Sequence, residues 1–364
     1  MAALSVAFSH VFGFKNYLDP GYHPSNYWAY LGVGRGAVLL FFIMSGYVIG
    51  ITNTSEFSRT KAVNYLCRRF IRLFPIYAIA VVLGAWINPA NSWLEIIGNL
   101  LFWQNVDNYF SFSLLPIQGN PIVWTLNYEV VYYLFFMFIW WLQPKFLNLF
   151  IGALLLSILG WFNPQFPQFI AGYSSGLIFW LIGLFLAWKI LPINTISNQV
   201  PLLSYILLFY ATNRFDPGKV ILNGFGFPNQ MVSYVNLSDL ALLPISLLII
   251  TRITKRHFIK ILWLEIISFL IPIFSIIGLL LLGRLWENEH WILATILTIT
   301  SISTYPYKTS LNIFGKISYF GNISYGIYLL HFPVILLIVN YCTWQGTIIS
   351  FWVRFVMWLG ITIG

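Results

Sequence analysis

Charge is scarce in this chain: Asp, Glu, Lys and Arg make up 8% of its 364 residues, and only ten of these are acidic. A soluble domain of that length needs an ionised surface, and so few charges cannot supply one. Cysteine is nearly absent. Cys67 and Cys342 give neither a disulfide framework nor the clustered ligands of a structural zinc site, so no metal is expected and no redox compartment follows. The sequence lacks internal repeats at solenoid periods, low-complexity tracts and a separate soluble domain. A basic n-region leading into an apolar core and a small-residue cleavage site is also missing, so no cleaved signal peptide is expected.

The chain has apolar length instead, with 59% hydrophobic residues. Apolar stretches of about 17 to 25 residues between polar or turn residues read as membrane spans. They lie near 1–14, 30–51, 72–89, 121–143, 147–163, 170–188, 199–213, 236–252, 262–283, 290–305, 318–340 and 346–364. The expected fold class is all-α, a polytopic transmembrane helical bundle of ten to twelve spans, with residues 1–364 as a single integral-membrane domain. A cytoplasmic N-terminus places thirteen basic residues inside: Arg59, Lys61, Arg68, Arg69, Arg72, Lys145, Lys189, Arg252, Lys255, Arg256, Lys260, Lys308 and Lys316. Four stay outside (Lys15, Arg214, Lys219 and Arg284), and Arg35 and Arg354 fall in or beside spans. The net charge of +9 therefore reads as topology in a plasma or inner membrane rather than as nucleic-acid binding. The 252–260 cluster reads as attraction to anionic lipid.

One basic group enters a span at once: "CRRFIRLFPIY", residues 67–77. Arg68 and Arg72 share a helical face and Arg69 lies on the next. Planar guanidinium groups bind phosphate bidentately, so the group is either a docking place for a phosphorylated cofactor or a positive-inside anchor. Pro75 is expected within the first turn of its span, where its missing N–H costs least.

Ionisable residues inside apolar spans are costly and mark functional sites. His10 lies in "ALSVAFSHVFGF" and Glu129 in "PIVWTLNYEVVYYLFF", where Thr125, Tyr132 and Tyr133 share its helical face. His331 lies in "NISYGIYLLHFPV" and forms a second polar stripe with Ser324 and Tyr328. Two histidines and a carboxylate suit an acid–base site, a proton relay in a transporter, or hydrogen-bonded helix packing. Ser45 and Gly46 in "FFIMSGYVIG" read as small residues for close helix approach, since no G-x-S-x-G elbow surrounds the serine. Glu265 reads as a snorkelling or interface residue. Glu95 and Asp107 fall in an outer loop, 91–120, where they are candidates for acceptor contact.

Taken in order, the His10 segment, "FFIMSGYVIG", "RRFIRLFPIY", "WTLNYEVVYYLFF" and "NISYGIYLLHFPV" resemble the integral-membrane acyltransferase-3 family over most of the chain, least between about 190 and 310. The resemblance implies an enzyme that moves an acyl group, commonly acetyl, from acyl-CoA to a hydroxyl of an envelope or secreted carbohydrate or glycolipid. It places the family's essential histidine at His10 and its glutamate motif at Trp124 through Glu129. The R-x-x-R element falls on Arg69 and Arg72, with Arg68 adjacent. The SG element falls on Ser45 and Gly46, and S-Y-x-x-Y-x-x-H on Ser324, Tyr325, Tyr328 and His331. The family's usual Arg or Lys eleven positions before the histidine would precede Met1, so either the chain is given from an internal start or that residue is missing.

On this reading His10 is the general base and Glu129 orients and stabilises its imidazolium. Arg68, Arg69 and Arg72 hold the CoA phosphates, and Ser45, Trp124, Tyr132, Tyr133, Ser324, Tyr328 and His331 line the site. CoA is a donor substrate and no bound cofactor is expected. The alternative is a polytopic transporter or flippase with His10, Glu129 and His331 on a proton or solute path. That class predicts inverted repeats with interrupted helices, which the sequence does not show.

Overall fold

In a computed structural model the residues described are all but Met1, 14–15, 23, 25–31, 110–111, 191–198, 228–233, 257–260, 313–317 and Gly364, and also outside the description are the side chains of 106–109, 112–113, 318–320 and 322. Lys15, Lys260 and Lys316 of the charge count, and the side chain of Asp107, lie outside the described residues. The chain is helical almost throughout, and each of the twelve apolar stretches coincides with a helix. Among the described residues, six helices are long and apolar enough to cross a membrane: Gly34–Thr52, Arg59–Ile87, Pro121–Leu142, Gln168–Lys189, Ile261–Leu281 and Ile323–Tyr341. Ala2–Val11, Phe146–Phe162 and Ile348–Ile363 are apolar but shorter.

The contacts divide the chain into two compact units: residues 1–38, 55–143 and 318–364, and residues 39–54 with 144–317. In the first unit α1 (Ala2–Val11) packs on the long helix Ser318–Tyr341, which also packs against Arg59–Ile87 and the last helix, Ile348–Ile363. Ala7, Val11, Phe12, Val334, Ile335, Ile338, Phe351 and Trp358 form its buried apolar core. At the end of that core, Asp19 accepts hydrogen bonds from Ser350 Oγ at 2.6 Å and the amides of Gly21 and Gly346. Arg354, 1% exposed, donates to the carbonyls of Leu18, Cys342 and Trp344. These two buried charges are therefore engaged in closing loops, with the hydrogen-bond partners that burial of a charge demands.

Local chemistry sets the element ends. Ser58 caps the Arg59–Ile87 helix by accepting from the Lys61 amide at 3.3 Å. This helix starts thirteen residues before the expected span and carries Pro75 in its interior, not in its first turn. A hydropathy window registers only the lipid-facing part, while Arg and Lys are good helix formers and continue the helix toward its capping serine. The segment after it holds a short helix: Ser92 and Glu95 make a reciprocal capping box at the start of Trp93–Leu100, so the Glu95 carboxylate is engaged in its own helix terminus. A hairpin of 106–109 with 112–114 follows.

In the second unit, Gly34–Thr52 (its part from residue 39) meets Gln168–Lys189 at backbone distance. A Cβ on Gly46 would lie 2.0 Å from the Trp180 carbonyl oxygen, and one on Gly183 would lie 1.9 Å from that of Ile43. Gly46 is thus a close-packing residue here. Glu265 is buried and accepts hydrogen bonds from Tyr205, from Tyr305 at 3.0 Å and from Arg252 at 3.4 Å. It is an interface residue between helices, with no snorkelling to solvent.

Candidate active site

Two histidines from opposite ends of the chain meet in the first unit. His10 ends α1 and His331 lies within the helix Ser318–Tyr341, and the packing of these helices leaves their ring centroids 5.3 Å apart. His331 Nε2 lies 3.4 Å from His10 Nδ1. Each Nδ1 also faces a carbonyl of its own helix one turn back: His10 that of Val6 at 3.0 Å, His331 that of Ile327 at 3.1 Å. A carbonyl can only accept, so both Nδ1 atoms carry the proton when the rings are neutral. The proton on His10 Nδ1 is then shared with the lone pair of His331 Nε2, and the basic lone pair of His10 is on Nε2. His331 is fully buried and His10 half-buried. Phe332 and Tyr17 pack beside the His10 ring at 5.5 and 6.3 Å.

The Glu129 stripe forms as its spacing predicts. Thr125, Glu129, Tyr132 and Tyr133 are all buried on one helix, Trp124–Leu142. Glu129, 4% exposed, accepts a hydrogen bond from Tyr133 Oη one turn along. Arg69 lies over the rings of Tyr65 and Tyr133, 5.5 and 5.3 Å from their centroids. A cation stacked on the ring that donates to the carboxylate places positive potential beside a buried negative charge, which burial otherwise penalises. Thr125 joins this stripe to the histidine stripe. Its hydroxyl lies 2.8 Å from Tyr328 Oη, and the Tyr328 ring sits 6.0 Å from that of His331. The order in space is Arg69, Tyr133, Glu129, Thr125, Tyr328, His331, His10.

A family model for an acyltransferase domain, that of the acyltransferase-3 family, matches residues 1–364. This chain belongs to that family. It is an acyltransferase, and its apolar helices make it a multi-pass membrane protein. Comparison with curated proteins and with solved structures gave no match.

The three arginines of this acyltransferase divide by direction. Arg69 turns onto the tyrosines, while Arg68 and Arg72 are exposed on the same helix. The C-terminal motif engages that helix too, since Tyr325 Oη donates to the Leu73 carbonyl at 2.8 Å, two residues before Pro75. Ser324 bonds locally to the Gly321 carbonyl at 2.7 Å. Trp124 packs edge-on against Tyr128, and Tyr128 against Tyr132. Ser45 belongs to the second unit, beside the close-packed Gly46. Among the described residues no group of three or more His, Cys, Asp or Glu is arranged to hold a metal.

Sequence reasoning missed three contributors. Tyr65 was legible as the i−4 neighbour of Arg69 on a helix. Asn120 and Trp358 were not, because nothing local marks them as partners of a segment more than 200 residues away or of a neighbouring helix; Trp358 Nε1 donates to the His331 carbonyl at 3.0 Å.

Proposed function

We propose that this acyltransferase moves an acyl group, acetyl by default, from acyl-CoA to a hydroxyl of a cell-envelope or secreted carbohydrate. The observation that carries this reading is the approach of His331 Nε2 to the protonated Nδ1 of His10, which leaves the His10 lone pair on Nε2. A sugar hydroxyl ionises far above neutral pH, so its attack needs a base in the transition state, worth about 10²- to 10⁴-fold. His10 Nε2 takes the hydroxyl proton as the hydroxyl oxygen attacks the thioester carbonyl carbon. The carbon–oxygen bond forms, the carbon–sulfur bond breaks, and the imidazolium returns the proton to the departing thiolate, giving ester and free CoA thiol. His331 accepts from His10 Nδ1–H throughout and spreads the charge that develops on it, while the Glu129 carboxylate supplies the balancing negative field. Arg68 and Arg72, exposed, take the CoA phosphates, and Arg69 stands between them and the buried carboxylate. The N-terminus is cytoplasmic, so donor arrives from the basic side and acceptor from the other.

The test compares O-acetyl groups released by mild alkali from the polysaccharide of cells making wild type, His10→Ala or Glu129→Gln. Both variants are expected to lose at least about a hundredfold of acetylation at normal membrane levels. Undiminished acetylation removes these residues from the chemistry. Labelled acetyl-CoA should bind purified wild type and Lys255→Ala, and bind Arg68→Ala and Arg72→Ala at least tenfold more weakly.

A further inference from the structure

Proline at 333 leaves a defect in the helix that carries His331. In an unbroken helix the amide of residue 333 would bond the Leu329 carbonyl, one turn back. Proline has no such N–H, so that carbonyl, 0% exposed at its residue, needs a donor from elsewhere. The donor is Asn120, whose Nδ2 lies 2.9 Å from Leu329 O. The carbonyl can only accept, so it is the amide nitrogen that faces it.

Asn120 is held firmly for this task. It is fully buried, its own amide bonds the Ile117 carbonyl at 2.9 Å, and its turn is pressed against the Arg59–Ile87 helix. A Cβ on Gly119 would lie 2.0 Å from the Gly84 carbonyl oxygen, and a Cβ on Gly84 would lie 3.0 Å from the Asn120 Cβ. Asn120 Oδ1 is buried with no hydrogen-bond donor among the described residues, so the side chain is kept for its nitrogen. Asn120 also stands immediately before the turn Pro121–Val123 that opens the Glu129 helix, with its side chain turned to Leu329 rather than to that turn. One carboxamide therefore links the start of the carboxylate helix to the broken turn beneath the histidine, while Trp358 holds the His331 carbonyl from the other side.

We propose that Asn120 is a positioning residue that sets His331 against His10 by supplying the hydrogen bond Pro333 removes. The inference rests on the histidine pair proposed above. A misplacement of about 1 Å at a reacting group costs up to about a hundredfold. Asn120→Ala should therefore lower alkali-released O-acetyl by about tenfold to a hundredfold while binding of labelled acetyl-CoA to the purified full chain stays within twofold. The decisive variant is Asn120→Ala with Pro333→Ala. The second change restores a backbone N–H that reaches Leu329 O, so acetylation should return to within about threefold of wild type, an outcome that mere loss of packing at Asn120 does not give. Where Asn120→Ala does not accumulate in membranes, Asn120→Leu keeps the side-chain volume without a donor or a buried charge, and the same second change should rescue it. Acetylation at wild-type level in Asn120→Ala, or no recovery in the double variant, overturns the inference. His331→Ala separates the two readings: activity lost there but kept in Asn120→Ala sinks only the role of Asn120, whereas activity kept in both His10→Ala and His331→Ala sinks the histidine pair and this inference with it.

Discussion

Tyr133 is the side chain on which the carboxylate and the arginine converge. Its hydroxyl donates to Glu129 and its ring carries Arg69 at 5.3 Å. Removing the hydroxyl leaves a buried carboxylate with one donor fewer, at a desolvation cost of about 1–3 kcal/mol or more for a charged acceptor. Tyr133→Phe should thus reduce acyl transfer by about tenfold to a hundredfold, with membrane levels held, as read by alkali-released O-acetyl. Arg69→Lys is expected to fare little better than Arg69→Ala, because a compact, strongly hydrated ammonium is a poorer partner for the Tyr65 and Tyr133 rings than a planar guanidinium. Equal activity of Arg69→Lys and wild type would show that only the charge matters.

At the scale of elements, close backbone approach and proline decide the packing. Gly183 and Gly46 face main-chain atoms at distances no side chain tolerates. Gly183→Ala must push two helices apart, and overpacking of that kind costs about 1–3 kcal/mol. Gly152→Ala is the control. Nothing lies within 4 Å of a Cβ there, and the exchange inside Phe146–Phe162 should stabilise by about 0.5–1 kcal/mol. Thermal unfolding of the purified protein in detergent should rank Gly152→Ala at or above wild type, and Gly183→Ala clearly below both. The helix Arg59–Ile87 shows the same dependence on neighbours. Pro75 lies inside it without ending it, and Tyr325 of the C-terminal helix donates to the Leu73 carbonyl two residues before.

For the whole molecule the distribution of charge is a statement about orientation. A helix of 29 residues is about 43 Å long, more than a hydrocarbon core of about 30 Å, so the two ends of Arg59–Ile87 face opposite sides. The basic end should be cytoplasmic. In a background with Cys67→Ser and Cys342→Ser, Lys61→Cys is expected to react with an impermeant maleimide only after permeabilisation, and Trp93→Cys in intact cells. The reverse pattern would invert the orientation and move the donor to the other face. Not every basic residue is available for lipid or phosphate. Arg252 pairs with Glu265 at 3.4 Å, and Arg256 stacks on Tyr47 and donates to the Ile190 carbonyl at 2.6 Å.

How much was legible follows from the range of each interaction. The apolar runs declared twelve helices, because in lipid a backbone must bond to itself and a helix is the local way to do so. The stripe of Thr125, Glu129 and Tyr133 was legible for the same reason: helical spacing alone puts these residues on one face. The start of the helix at Arg59 was not, since hydropathy does not register a helix that leaves the membrane. Tertiary structure alone decided that His10 meets His331 across 321 positions, that Arg69 turns inward while Arg68 and Arg72 stay outside, and that Asn120 mends the turn Pro333 breaks. Local sequence determined which groups are buried at a cost, because that depends only on each residue's own neighbours along the chain. Which group meets that cost depends on how distant helices dock, and that is a property of the packed bundle.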